Sequence, residues 1–264
     1  MSGKIVIKLG GSLITDKRTE NTVNREAVDR VAEAIAEIVN LGYSVILVHG
    51  AGSFGHILAK KWSIDDGANP VKSVKQREAI AQIRTNMIEL CSILIKSLEE
   101  YGITCRSFPP SEWATGTGKT FEGDISIFAE GTGFIPVTFG DVVDINDSRE
   151  FGILSGDDIM LRLANEIEGV SHVIFLIGDA PGIMDRPPGR EGSILLERWS
   201  PSDEVDSEHN DEIDVTGGIR LKMERAGEIA QNVDDVWIID GRSPSRILEL
   251  LNSGKTVGTK IMES

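Results

Sequence analysis

Lys8 and Lys17 flank a glycine turn, Gly10-Gly11-Ser12, within the stretch Lys4 to Lys17, KIVIKLGGSLITDK. These are residue types and a spacing that could handle phosphate. Glycines without a Cβ let backbone N–H groups close on a polyanion, and two ammonium groups neutralise charge that a neutral loop could not. The β-branched run Ile5-Val6-Ile7 reads as a buried strand delivering the turn. A plain strand-to-helix turn with solvated lysines is the competing reading of the same residues.

Further glycine turns follow other strands. Val45 to Val48 is a continuous apolar run, the pattern of a parallel strand covered on both faces, and it leads into His49-Gly50-Ala51-Gly52-Ser53-Phe54-Gly55-His56. Between the two strands, Val28, Val31, Ile35 and Ile38 mark one face of a helix, with Asn24 as its N-cap and Gly42 as its stop. A strand-helix-strand unit with a right-handed crossover sets both turns on one carboxyl edge, where open α/β sheets bind ligands. Later in the chain, Ser155-Gly156-Asp157-Asp158 caps a helix running through Glu168, and acids at a helix start ordinarily complement its dipole. Val173 to Ile177 is another buried strand, ending in Gly178-Asp179-Ala180-Pro181-Gly182. Thr216-Gly217-Gly218 opens a helix that carries Lys222.

The remaining elements frame these turns. Lys72 to Tyr101 reads as a long helix with Ile80, Ile83, Met87, Leu90, Leu94 and Leu98 on one stripe. Ile103 to Phe108 and Phe134 to Phe139 read as strands, the second ending in Gly140-Asp141, and Val142 to Leu154 as a hairpin. Thr115 to Lys119, TGTGK, has neither the preceding strand nor the spacing of a phosphate loop and is expected to be a flexible turn. Pro201 to Asp214 is acidic and poor in apolar residues, the composition of a mobile surface excursion. Val236 to Ile239 and Val257 to Ile261 are strands, and Pro244 starts a helix.

Composition narrows the partners. The chain has 264 residues, 40% hydrophobic and 26% charged, enough for a large core in one continuous α/β unit. A formal charge of −15 argues against nucleic acid or an anionic membrane surface, both of which are bound by basic patches. No apolar run approaches a membrane span and the N-terminus reads as a strand, so a cytoplasmic protein is expected. Cys91 and Cys105 are expected to be free, buried thiols.

Taken together, KLGGSLITDK, HGAGSFGH, FGD, SGDDIM and DVTGGIRLK resemble the amino acid kinase superfamily, and within it the archaeal-type isopentenyl phosphate kinases. The resemblance covers nearly the whole chain. It implies a three-layer αβα sandwich around a mainly parallel open sheet, usually a homodimer, with 1–264 as a single domain. About 1–155 would be its acceptor-binding half and about 156–264 its nucleotide-binding half. It implies ATP-dependent phosphorylation of isopentenyl phosphate to the diphosphate in an alternative mevalonate route. By the same resemblance Lys8 would hold the transferring phosphoryl oxygens, Gly10, Gly11 and Ser12 would surround the β- and γ-phosphates, and Lys17 would be a second catalytic lysine. Ala51 and His56 would contact the acceptor phosphate and Gly52 would face the nucleotide. Gly140 and Gly156 match substrate-contacting turns, and Asp157 the acid that organises the lysines. Asp179, Gly182, Gly217 and Lys222 match nucleotide-binding positions. Relatives commonly read LTDVDG where this chain has IGDAPG at 177–182, which leaves the adenine and ribose contacts open and suggests relaxed nucleotide preference.

The residues fit that chemistry. A phosphate monoester has a second pKa near ~6, so as acceptor it is largely ionised and needs no general base. Bringing two polyanions together calls for cations: Lys8, Lys17, Lys222, protonated His56, and Mg²⁺ carried by the ATP phosphates rather than by a protein metal site. The helix of Ile83 and Met87 follows the acceptor loop and is a candidate wall for a prenyl tail. His49, His172 and the tryptophans are assigned to packing and His209 to an exposed loop. The alternatives are a same-fold kinase for another small phosphate, a fosfomycin-like phosphonate or a carboxylate, and a non-catalytic nucleotide-binding sensor or storage protein.

Overall fold

The computed structural model describes residues 3–16, 19–129, 133–203 and 218–263. Lys17, His209, Thr216 and Gly217 lie outside the described residues, as does 204–214 of the acidic segment.

Strand β1 (Lys4–Leu9) runs into the one-turn helix α1 (Gly11–Ile14), and α2 (Arg25–Asn40) crosses back to β2 (Ser44–His49). Then come α3 (His56–Trp62), α4 (Ser73–Glu100), β3 (Cys105–Ser107), α5 (Pro110–Trp113), β4 (Ala114–Thr115) and β5 (Glu122–Gly123). The middle of the chain supplies β6 (Ile135–Phe139), β7 (Asp141–Asp144), β8 (Phe151–Leu154), α6 (Gly156–Glu166), β9 (Val170–Ile177) and β10 (Arg198–Trp199). Helix α7 (Gly218–Ile229), β11 (Asp235–Asp240), α8 (Ser245–Ser253) and β12 (Thr259–Ile261) follow. The eight-stranded main sheet has the order β10-β12-β11-β9-β1-β2-β6-β3, and a four-stranded sheet has the order β5-β4-β7-β8. The main sheet is parallel except where β12 pairs antiparallel with β11.

Strand alternation explains the layers. Ile5, Ile7 and Leu9 of β1 pack with α2, α4 and α8 on one face, while Val6 packs with α6 and α7 on the other. This is the expected αβα sandwich. Lys8 shares Val6's parity, so the strand turns it toward the α6 and α7 layer.

Five neighbouring parallel strands, β11, β9, β1, β2 and β6, each end directly before a glycine: Gly241, Gly178, Gly10, Gly50 and Gly140. Four of these glycine amides extend the ladder by one rung, Gly10 to Leu176 O (2.8 Å), Gly50 to Leu9 O (2.9 Å), Gly140 to His49 O (3.1 Å) and Gly241 to Ile177 O (2.8 Å). The carboxyl edge of the sheet is thus held in register but bare of Cβ atoms.

Sequence periodicity located most elements within a residue or two. The strand expected over 103–108 is shorter, at Cys105–Ser107. TGTGK does not stand apart as a turn alone: Thr115 belongs to β4 of the small sheet, and Lys119 makes an exposed pair with Glu228 at 3.0 Å. Cys91 and Cys105 are free, the first buried and the second partly so. No helix among the described residues is long and apolar enough to cross a membrane.

Candidate active site

Three charged side chains from three separate elements meet under the glycine edge. Lys8 Nζ at the end of β1 lies 2.6 Å from Asp157 Oδ1, and Lys222 Nζ on α7 donates to the same oxygen at 3.0 Å. All three are buried, at 6%, 3% and 8% exposure for Lys8, Asp157 and Lys222. Burial by itself would raise the Asp157 pKa, but Lys222 and Lys8 more than offset it and hold the carboxyl below the usual range. One carboxylate between two ammonium groups leaves the cluster with a positive excess in an acidic chain. The capping role at this helix falls to Ser155, whose hydroxyl accepts from Asp157 N at 3.2 Å, leaving both carboxylates of the first turn available for cations.

Two glycine turns interlock beside this cluster. A Cβ on Gly50 would stand 2.7 Å from Gly11 N, and one on Gly11 would stand 2.3 Å from Gly52 N. Only glycines allow backbones this close. Thr15 ties the turns together: its Oγ1 donates to Gly11 O at 2.8 Å and accepts from Ser53 N at 3.0 Å. Thr15 also forms an antiparallel bridge with Val23. On the α4 side, Asn86 donates to Phe54 O and to Asn21 Oδ1, both at 3.2 Å, joining the long helix to both loops.

A cavity of about 500 Å³ opens over these groups, a size usual for small-ligand sites. Lys8, Gly10, Gly11, Ser12, Ala51, Gly52, His56, Ile83, Gly140, Gly156, Asp157, Asp179, Gly182 and Lys222 all line it. Met87 does not. It is fully buried and stands behind Gly55, where a Cβ would meet its sulfur at 3.6 Å, so the expectation that Met87 walls the slot is corrected to Ile83 alone on that helix.

Residues that the sequence did not single out complete the walls. On the β2 and β6 side, Ile57, Val142, Ile153 and Leu154 make an apolar surface with Ile83; on the β9 side, Ile183, Met184, Pro187, Pro188 and Ile219 do the same. The hairpin and the proline-rich loop were visible as segments, but nothing local says that they fold over the sheet edge. Asp141 is the other addition. It lines the cavity, accepts from Val142 N (2.8 Å) and Ser111 N (3.3 Å), and burial raises its pKa in spite of those bonds. His49, assigned to packing, lies against Phe139 with ring centroids 4.8 Å apart and does not line the cavity. Among the described residues no group of three or more His, Cys, Asp or Glu side chains could hold a metal ion, and Asp157 is engaged by lysines.

Fold and cleft together define an α/β protein whose sheet edge is built to take anions. The sequence pattern of the Amino acid kinase family matches residues 3–240, and the chain belongs to that family. It is 33% identical over 245 residues to the isopentenyl phosphate kinase of Thermoplasma acidophilum, covering 92% of this chain and 94% of that protein. It is 30% identical over 271 residues to the isopentenyl phosphate kinase of Methanocaldococcus jannaschii, 97% of each. The crystal structure of the T. acidophilum enzyme in its product complex superposes with a TM-score of 0.77 at 30% identity, over 98% of this chain and 99% of that one. These likenesses put the chain on the isopentenyl phosphate kinase branch of the family, and membership of a kinase family implies ATP as phosphoryl donor.

Proposed function

We propose that the chain transfers the γ-phosphoryl group of ATP to isopentenyl phosphate, giving isopentenyl diphosphate and ADP. The observation that carries this reading is the single cavity in which the Lys8–Asp157–Lys222 cluster and the two interlocked glycine turns stand beside the apolar surface of Ile83, Val142 and Ile153. An acceptor phosphate oxygen attacks the γ-phosphorus as the bond to the β,γ-bridging oxygen breaks, and ADP leaves with that electron pair. The acceptor is already ionised, so no proton need be removed. Lys8 and Lys222 neutralise the transferring group, and Asp157 keeps them apart and oriented. Amides of the Gly10–Ser12 turn take the donor phosphates and the Ala51–His56 loop takes the acceptor phosphate, with His56 as its basic side chain. Asp179, Gly182 and Gly217 belong to the nucleotide side, and Lys17 serves as a further cation at the transferring group. Mg²⁺ bound to the ATP phosphates would supply charge neutralisation there; no protein cage for it is required.

Among the described residues, the basic side chains lining the cavity are Lys8, Lys222 and His56, whereas a carboxylate acceptor would more naturally be met by an arginine fork. This supports a phosphate acceptor over glutamate or acetylglutamate. The reading also takes 1–264 as one domain with an acceptor half and a nucleotide half, working as a cytoplasmic homodimer. A coupled ADP-release assay across isopentenyl phosphate, dimethylallyl phosphate, fosfomycin, glutamate and acetylglutamate tests it. Prenyl monophosphates should lead by ~10²-fold or more in kcat/KM, the discrimination that buried polar and apolar complementarity can reach. Preference for any of the other three would overturn the assignment.

A further inference from the structure

Asp158 is a buried acid for which the reaction as described has no use. It follows Asp157 in the first turn of α6, is 3% exposed, and takes Arg225 Nε on its Oδ1 at 2.6 Å. Arg225 stands one turn beyond Lys222 on α7. Two consecutive carboxylates of one helix thus receive two cations, one turn apart, from another: Lys222 on Asp157 and Arg225 on Asp158. The Arg225 side chain is only 13% exposed and its Nη1 meets Glu228 Oε1 at 2.9 Å. Beyond that, Glu228 holds the exposed Lys119 at 3.0 Å. An acid that merely complemented the helix dipole would need neither burial nor its own guanidinium.

The geometry points to Arg225 as a positioning residue. By fastening α7 to α6 through Asp158 it holds the register that sets Lys222 Nζ on Asp157, and so aims that lysine at the transferring phosphate. A slip of one residue along a helix moves a side chain by 1.5 Å and turns it by ~100°, more than a 3.0 Å hydrogen bond tolerates. The lysine stem is flexible, so a second and stiffer contact on the same helix is needed to fix where it starts. A planar guanidinium shared between Asp158 and Glu228 is such a contact. The inference rests on the role proposed above for Lys222.

A double-mutant cycle tests it, with Arg225→Met, Lys222→Met and the double variant assayed with ATP and isopentenyl phosphate. Arg225→Met should lower kcat by ~10-fold or more, the scale of a small misplacement of a transition-state group, with the isopentenyl phosphate KM little changed. In the Lys222→Met background the same substitution should change kcat less than ~2-fold, because its route of action is gone. A folded Arg225→Met protein with near-normal kcat overturns the proposal, and so does an equal loss in both backgrounds, the mark of a general packing role. If Arg225→Met does not fold, Asp158→Asn/Arg225→Met removes both buried charges and enters the cycle in its place. A wild-type protein inactive on isopentenyl phosphate would be a failure of the substrate assignment instead. The cycle would then be read on the affinity for a non-hydrolysable ATP analogue, where Arg225→Met should weaken binding only when Lys222 is present and an effect in both backgrounds overturns the proposal.

Discussion

Lys8 and Lys222 lie far apart in the chain, yet both donate to one oxygen, Asp157 Oδ1, at 2.6 Å and 3.0 Å. That shared oxygen pairs two buried ammonium groups within reach of the same ligand. Removing it leaves like charges facing each other in a low-dielectric site, where an unpaired buried ion is costly.

Asp157→Asn should therefore lower kcat by ~10²- to 10³-fold, the scale of losing one preorganised electrostatic contact, as measured in steady-state turnover with saturating ATP. Urea unfolding of the same variant should show a loss of stability as well, because two buried cations lose their carboxylate. The pH dependence has a definite sign: the folded pKa is depressed, so its stabilisation is present above the ordinary aspartate value and is lost as pH falls through the lower folded value. An Asn variant with wild-type turnover would remove Asp157 from the mechanism.

His49 gives a second acid-sensitive contribution. Its ring is fully buried against Phe139, its Nδ1 is 3.2 Å from Gly50 O, and its Nε2 has no hydrogen-bond partner among the described residues. Burial pushes its pKa down to about 4, despite the bond to Gly50. The unfolded chain takes up a proton near pH ~6.5 that the folded chain refuses, so stability present above that pH is lost toward pH ~4, by roughly 3 kcal/mol. His49→Phe should flatten unfolding free energy against pH in this window. An unchanged slope would show that another group carries it.

Gly178 is a steric gate on the phosphate turn. A Cβ there would stand 2.7 Å from both Leu13 N and Ser12 O, backbone atoms that cannot rotate away. Gly178→Ala should push α1 outward, raise the ATP KM severalfold and cost about 1–3 kcal/mol of stability, the usual range for overpacking. The acceptor KM should hold. Kinetics with each substrate varied in turn would show an equal rise in both constants if the effect were general loosening.

Ile83 and Met87, one turn apart on α4, should behave differently. Ile83 lines the cavity, so Ile83→Ala should raise the relative kcat/KM for prenyl phosphates longer than isopentenyl. Met87 is fully buried behind the wall, so Met87→Ala should cost about 2–5 kcal/mol as a core cavity and leave chain-length preference where it was. A shift in preference from Met87→Ala with none from Ile83→Ala would reverse the assignment of the wall.

Much of this site was written locally. The strand at Ile5–Val6–Ile7, the Asn24 cap, whose side chain accepts from Ala27 N at 3.3 Å, and the long helix ending at Glu100 all followed from periodicity and cap residues. The glycine turns were legible because glycine after a buried strand is a local signature. The small sheet was missed in part, since β4 and β5 are two residues each and depend on pairing, β5 with β4 and β4 with β7, which no local pattern announces. Met87 was misplaced because a helical stripe gives the face of a residue but not its depth. Asp158 read as a dipole complement because its partner, Arg225, is far away in sequence.

What the sequence by itself determined is the set of strands, the rank of glycines at their ends, and the face on which Lys8 must point, because alternation and turn chemistry depend on neighbours along the chain. Only the tertiary structure decided that α6 and α7 would bring Asp157 and Lys222 under that same lysine, and that a hairpin and a proline-rich loop would wall the cavity. Those placements come from the order of strands in the sheet and the side on which each crossover packs, which depend on long-range burial and not on any short stretch of residues.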